Sequence, residues 1–350
     1  MIKIGGRTLT DSKPPFLIAE ISANHKKSLS RALKLVRMAA KSGFDAVKLQ
    51  TYEADKITLK SKKKDFRIKD KESIWYNKNL FELYQKGQTP KIWHKKIFNE
   101  AKKLGLVAFS TPFDLESVGF LKKLKVPCYK ISSFEITYLD LIKECAKTKK
   151  PIIISTGLAK FSEIKKAIYE IKKMGNNKII LLKCSSSYPA NPEDINLKTL
   201  LDLKKRFKLD VGLSDHTIGS EVAIASIPYG VKVIEKHVTI NNNDGALDSK
   251  FALPIKEFSN FVNSIKNTHK ALGKIKYGPT KNEKNSLSYR RSIYVSKNIE
   301  KGERISKENI KIVRPSLGMP IRYYKKILGK RTNKSFNPGD VIKLKNLKRN

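Results

Sequence analysis

From residue 16 to residue 272 short apolar runs alternate with amphipathic stretches, and no other feature restricts the fold of this chain as much. The runs are FLIAEIS (16–22), DAVKLQ (45–50), LVAFST (106–111), VPCYKIS (126–132), PIIIST (151–156), KIILLKCSSSYP (178–189), VGLSDH (211–216) and VKVIEKHV (231–238). This is the pattern of parallel strands joined by crossover helices. Leu29, Ala32, Leu33, Val36, Ala39 and Ala40 share one helical face ahead of a stop at Gly43. Ile164, Ala167, Ile168, Ile171 and Met174 do the same between an expected N-cap at Ser162 and Gly175. Eight strand–helix units predict an α/β fold of the (β/α)8 TIM barrel type, with its chemistry at the C-terminal ends of the strands.

The expected strand ends carry Glu20, Lys48, Thr111, Lys130, Ser133, Ser155, His216 and His237. Interior strand ends rarely gather so many charged and hydroxyl groups without a use for them. The stretch VGLSDHTIGSEVAIASIPYGVKVIEKHVT (211–239) is the densest, because two apolar runs each lead to a histidine near a carboxylate: Asp215 with His216, Glu235 with His237. Two imidazoles at matching strand ends predict a divalent-metal site with carboxylates around it. Lys48 and Lys130 come from different strands, and with the hydroxyls of Thr111, Ser133 and Ser155 they suit phosphate and carboxylate oxygens. A Schiff base on either lysine is the alternative, which the metal pair disfavours because a metal polarises a carbonyl without an imine. Glu20 follows a wholly apolar FLIA run, so it either works on a water molecule or closes a salt bridge with a lysine.

Residues 52–90 interrupt the rhythm with a charged stretch that carries Trp75, Tyr76, Phe81 and Tyr84, and it reads as a substrate-facing loop with a short helix. The barrel domain is expected over 1–273 and a lysine-rich linker over 274–289. Residues 290–350 hold short β-like pieces and turns, a unit small enough to need a partner surface as a cap or subunit contact. Lys plus Arg number 73 against 32 Asp plus Glu, a formal charge of +41. Because the lysines spread over helices and loops without one basic arm, they predict an anionic substrate and no nucleic-acid partner; a basic nucleic-acid-binding protein is the competing non-enzyme reading. The amino terminus has no apolar leader segment and no apolar run approaches the roughly 20 residues that span a bilayer, which reads as a cytoplasmic protein with no membrane partner. Cys128, Cys145 and Cys184 lack CxxC spacing and read as buried free thiols.

The motifs FLIAEISANH, DAVKLQTY, FSTPFD, YKISSFE, PIIISTG, KCSSSYP, GLSDHT, VIEKHVT, RRSIYVSKNIEKGE, VRPSLG and GKRTNKSFNPGD resemble, in order, those of the sialic acid synthase family. Within it, ISANH, DFRIKDKESIWYNKNLFELY and LKCSSSYP are most similar to the pseudaminic acid synthases. Lys26 and Lys27, where a glycine is common, and Ser186, where sialic acid synthases tend to have asparagine, turn the expected acceptor away from N-acetylmannosamine. The resemblance implies a barrel that condenses phosphoenolpyruvate with an amino-sugar aldehyde, 2,4-diacetamido-2,4,6-trideoxy-altrose, and releases phosphate. N-acetylneuraminic and legionaminic acid synthases share that chemistry and are the alternatives. It also implies an antifreeze-like (SAF) β-rich domain over 290–350 that crosses to the partner in a domain-swapped homodimer. Residue by residue, it implies Mn2+ or Mg2+ on His216 and His237, and phosphoenolpyruvate on Lys48, Lys130, Thr111, Ser133, Ser155 and Gly157. Glu20 would position water or the acceptor, while Gln50, Tyr188, Asp215 and Asp248 would line the acceptor side. Arg314 would reach an N-acetyl group in the neighbouring subunit's site.

Overall fold

The computed structural model describes residues 1–348, so the last two residues of the expected 290–350 domain lie outside it. The chain divides into two compact units, Met1–Gly273 and Lys274–Asn350.

In the first unit eight parallel strands close into a barrel: β1 (Phe16–Glu20), β2 (Ala46–Thr51), β3 (Val107–Pro112), β4 (Tyr129–Ile131), β5 (Ile152–Ser155), β6 (Ile179–Lys183), β7 (Asp210–Asp215) and β8 (Val233–Thr239). β8 closes the ring by pairing with β7 on one side and β1 on the other. The helices outside the ring are α1 (Leu29–Ser42), α2 (Lys91–Lys103), α3 (Leu115–Lys123), α4 (Leu139–Lys147), α5 (Phe161–Lys173), α6 (Thr199–Phe207), α7 (Glu221–Ser226) and α8 (Phe258–Leu272). Helices cover one face of every strand and side chains fill the lumen on the other, which is why β1, β5 and β8 are buried along their whole length.

Local chemistry sets the element ends. Ser28 Oγ accepts a hydrogen bond from Arg31 N at 3.3 Å to start α1, and Gly43 at φ 84° ends it. The start of α5 differs from the sequence expectation: Ser162 lies inside the first turn, because Lys160 N–H donates to Glu163 Oε2 at 2.6 Å and fixes the boundary two residues earlier. The 178–189 run leaves the ladder at Lys183, so its serines belong to a loop at the barrel mouth. Before β1, Lys3–Ile4 and Arg7–Thr8 form a small antiparallel hairpin around Gly5 and Gly6. A Cβ on Gly5 would stand 2.3 Å from Val107 Cγ2, so the hairpin packs against the first residue of β3, at the barrel end opposite the C-terminal ends of the strands.

The 52–90 insertion is folded. It contains helices Ala54–Ile57 and Leu80–Gly87, the second capped by Asn79 Oδ1, which accepts from Phe81 N at 3.0 Å. In the second unit Ser292–Val295 pairs antiparallel with Ile310–Val313 around a core that includes Ile293, Ile299, Ile310, Ile327 and Phe336. No helix among the described residues is long and apolar enough to cross a membrane. All three cysteines are free and buried.

Candidate active site

Period-two alternation decides which strand residues face the lumen, and register aligns them. Glu20 stands opposite both Lys48 and His237, and Glu235 opposite Ser214. The C-terminal mouth thereby gathers Glu20 from β1, Lys48 and Gln50 from β2, Thr111 from β3, Lys130 from β4, Ser155 from β5, Glu235 and His237 from β8, and His216 just after β7.

Glu235 is the centre of this group. Its Oε1 lies 3.4 Å from Lys130 Nζ and 3.6 Å from Lys48 Nζ, and accepts from Ser214 Oγ at 3.3 Å. Lys48 Nζ also lies 2.6 Å from Glu20 Oε2, a close ion contact without hydrogen-bond alignment, and donates to Thr111 Oγ1 at 3.1 Å. None of these four charged side chains is more than 4% exposed. Burial pushes the Glu20 carboxyl above its ordinary range in spite of Lys48. Burial opposes ionisation of Glu235 as well, but Lys130 and Lys48 outweigh it and hold Glu235 well below the carboxylate range. Burial pulls Lys130 down, whereas on Lys48 the combined field of Glu20 and Glu235 overcomes burial and raises it. Glu235 is thus a fixed anion and Glu20 the group able to carry a proton.

Beside the lysines lies a cradle of small polar groups. Ser133 Oγ and Ser186 Oγ are 2.8 Å apart, and Ser155 Oγ is buried with no partner. Gly157 N donates to Cys184 Sγ at 3.2 Å, and a Cβ on Gly157 would stand 2.6 Å from both Cys184 Sγ and Ser186 Oγ. Only glycine lets the backbone approach this closely. Cys184 therefore packs the floor of the cradle as a buried thiol. In the loop after β4, Glu135 accepts from Ser132 Oγ, and burial raises its carboxyl to about 7 against the pull of Lys130.

The two histidines face each other with ring centroids 5.3 Å apart. His216 Nδ1 contacts Ser185 O at 2.6 Å; a carbonyl only accepts, so Nδ1 carries the proton and Nε2 keeps its lone pair. Burial, reinforced by His237, lowers His216 to about 3, so its imidazole is neutral. His237 Nδ1 is buried without a hydrogen bond, 3.6 Å from Asp248 Oδ2. Asp248 in turn accepts from Ala23 N at 3.4 Å, tying the ISANH segment to this side of the mouth. Tyr188 lies 4.5 Å from His216 by ring centroids.

Asp215 is not where the sequence reading put it. Its Oδ2 accepts from Lys236 Nζ at 2.6 Å, and its Oδ1 accepts from Thr217 N at 3.0 Å and Thr217 Oγ1 at 2.7 Å. Lys236 also donates to Thr217 O at 2.5 Å. Asp215 precedes His216, and Lys236 precedes His237, so both members of this pair point away from the lumen and clamp β7 to β8 behind the histidines. Arg314 is exposed in the second unit and holds no ion pair among the described residues.

Three contributors escaped the sequence reading. The sequence gives Glu235 as a carboxylate near the histidine, not as the anion shared by two lysines; its place two residues before His237 on one strand is the available signal. Glu135 and Phe251 lie in loops, where no periodicity points to them; Phe251 stands 5.0 Å from His237 and 6.3 Å from His216 by ring centroids. Among the described residues no cluster of three or more His, Cys, Asp or Glu side chains is arranged around a metal position. The neutral His216 with a bare Nε2, the unbonded ring nitrogen of His237 and the unbonded Glu20 oxygens nevertheless fit a divalent cation held by two imidazoles and otherwise by water or substrate oxygens.

Fold and mouth together define a barrel enzyme whose charged side chains and histidine pair gather at the C-terminal ends of its strands. Residues 35–277 match the NeuB family and residues 290–348 match the SAF domain. The chain belongs to the NeuB family. It is 42% identical over 338 residues, 97% of this chain and 98% of the relative, to a pseudaminic acid synthase of Campylobacter jejuni subsp. jejuni serotype O:2. The N,N'-diacetyllegionaminic acid synthase of the same organism is 38% identical over 95% of this chain and 99% of its own length. Among solved structures, the N-acetylneuraminic acid (sialic acid) synthetase of Leptospira borgpetersenii serovar Hardjo-bovis, in complex with citrate, matches with a TM-score of 0.72 and 29% identity, covering 83% of this chain and 95% of that one.

Proposed function

We propose that this chain is a pseudaminic acid synthase, joining phosphoenolpyruvate to 2,4-diacetamido-2,4,6-trideoxy-altrose with release of inorganic phosphate. The observation that carries the chemistry is the convergence of Lys48 and Lys130, both buried, on one carboxylate at 3.6 and 3.4 Å, beside a cradle of hydroxyls that includes the unpartnered Ser155 Oγ. The two ammoniums, with the hydroxyls beside them in a low-dielectric mouth, suit the phosphate and carboxylate oxygens of phosphoenolpyruvate. Thr111, Ser133, Ser155 and the Gly157 backbone would hold its oxygens. His216 and His237 would hold Mn2+ or Mg2+, which when bound supplies Lewis acidity toward the sugar's aldehyde oxygen.

C3 of phosphoenolpyruvate forms the new bond to the aldehyde carbon, and the aldehyde oxygen gains a proton. Water adds at C2, and the C2–O bond to phosphate breaks to leave a keto acid. Glu20, kept protonatable by burial, orients that water or takes its proton, and Lys48 and Lys130 offset the anionic charge throughout. Gln50, Tyr188 and Asp248 line the acceptor side. The reading includes a domain-swapped homodimer in which Arg314 reaches the acceptor of the neighbouring subunit, supported by an exposed guanidinium with no ion pair among the described residues. It also places the enzyme in the cytoplasm, where phosphoenolpyruvate is available.

Phosphate release with Mn2+ tests the proposal, the acceptors being the altrose sugar, its legionaminic counterpart and N-acetylmannosamine in separate reactions. Release with the altrose alone is expected. Release with another acceptor keeps the chemistry and moves the substrate, and release with none from folded, metal-loaded protein contradicts the synthase reading.

A further inference from the structure

The segment between β2 and α2 sends one aromatic ring back over the barrel mouth. Trp75 lies in its irregular middle, yet its indole N–H donates to Leu247 O at 3.0 Å, 172 positions away in sequence. Its ring lies 5.7 Å from Tyr188 and 6.3 Å from Phe251 by centroids, and those two rings are 5.3 Å apart. Tyr188 and Phe251 are the rings that stand 4.5 Å from His216 and 5.0 Å from His237. Three aromatic rings from separate stretches of chain therefore wall one side of the histidine pair.

The Trp75 part of that wall is apolar in a strict sense. Indole has one donor and no acceptor, and Leu247 already takes the donor. Trp75 also borders a cavity of about 450 Å³ between the insertion and the loop after β8, lined in addition by Ile74, Leu83, Ala246, Leu247 and Lys250. Tyr188, Phe251 and the two histidines do not line that cavity, so Trp75 stands between it and the mouth.

We infer that Trp75 is a specificity-determining residue of the acceptor pocket: it confines the sugar against the histidine side and selects acceptors with a deoxygenated, methyl-bearing end over those that present a hydroxymethyl group. The inference rests on the synthase reading above. A methyl group against the indole buries apolar surface, whereas a hydroxyl there gives up water and gains no partner. An apolar wall rejects an added hydroxyl by on the order of 100-fold at most, and opening the wall into the cavity removes that rejection.

The test compares kcat/KM for 2,4-diacetamido-2,4,6-trideoxy-altrose with that for the same sugar bearing a 6-hydroxyl, at saturating phosphoenolpyruvate, in wild type, Trp75→Phe and Trp75→Ala. Trp75→Ala is expected to shrink the preference for the deoxy sugar about 10- to 100-fold, chiefly through KM, while Trp75→Phe keeps it within about threefold. Phosphoenolpyruvate affinity is the control for folding, and if the alanine variant loses it, Trp75→Leu decides the same ratio. A preference that stays put while both sugars slow equally overturns the inference and makes Trp75 a tether for the insertion. A wild type inactive with every acceptor, though it binds phosphoenolpyruvate, overturns the synthase reading and the inference with it.

Discussion

Two buried charge clusters share β7 and β8, back to back, and they differ in how completely they are satisfied. On the outer face Asp215 and Lys236, 1% exposed or less, use both carboxylate oxygens and make four hydrogen bonds with each other and Thr217. On the inner face both oxygens of Glu20, Oε2 of Glu235, Ser155 Oγ and His237 Nδ1 are buried without a hydrogen bond. An unmet polar atom in the interior is costly, and folded proteins rarely leave several together. The outer cluster is complete in the chain itself and acts as a fastening. The inner one leaves polar atoms free to meet a substrate's oxygens, which supports it as the seat of the chemistry proposed above.

The largest effect that would break this contrast is catalytic. Lys130→Met is expected to lower kcat/KM for phosphoenolpyruvate by about 10³-fold or more, read by phosphate release. It should cost less than about 2 kcal/mol of stability, because Glu235 keeps Lys48 and Ser214. The outer cluster should respond in the opposite sense. Asp215→Asn leaves Lys236 buried without its counter-ion and is expected to cost about 3–5 kcal/mol in urea unfolding. Replacing both, Asp215→Leu with Lys236→Met, should return stability to within about 2 kcal/mol of wild type. That double variant should still bind Mn2+ more weakly in a calorimetric titration, since the fastening behind the histidines is gone.

The smallest effect is a pH slope. Glu135 has its carboxyl raised from 4.5 to about 7, so its contribution to stability is full below about 4.5 and is lost as pH rises to about 7. His25 and His94, both lowered by burial to about 4, act in the reverse direction, and their contribution is lost as pH falls from 6.5 toward 4. The difference in unfolding free energy between wild type and Glu135→Gln isolates the first slope: it should favour wild type progressively less as pH rises across the window. A flat difference would show that Glu135 titrates normally in the folded protein.

Much of this was legible from residues alone. The apolar runs announced the barrel, and the polar groups at their C-terminal ends announced the mouth, because a strand buried on both sides tolerates a lysine or glutamate only where the lumen opens. Adjacency misled at Asp215, which sits beside His216 in sequence and therefore on the opposite side of the strand. Glu235 shares a face with His237 by the same rule and deserved the weight given to Asp215. The stretch around Trp75 reads as a substrate-facing loop, but the seat of Trp75 against Leu247 and the places of Glu135 and Phe251 depend on contacts made by aperiodic segments far apart in sequence.

Calorimetric titration of phosphoenolpyruvate into wild type, Lys130→Met and Asp215→Asn, at a temperature where all three are folded by circular dichroism, tests the central contrast most directly. The account predicts affinity about 100-fold weaker or worse for Lys130→Met and within about threefold of wild type for Asp215→Asn. Equal affinity in wild type and Lys130→Met would contradict it, because the inner cluster would then not be where the anion binds.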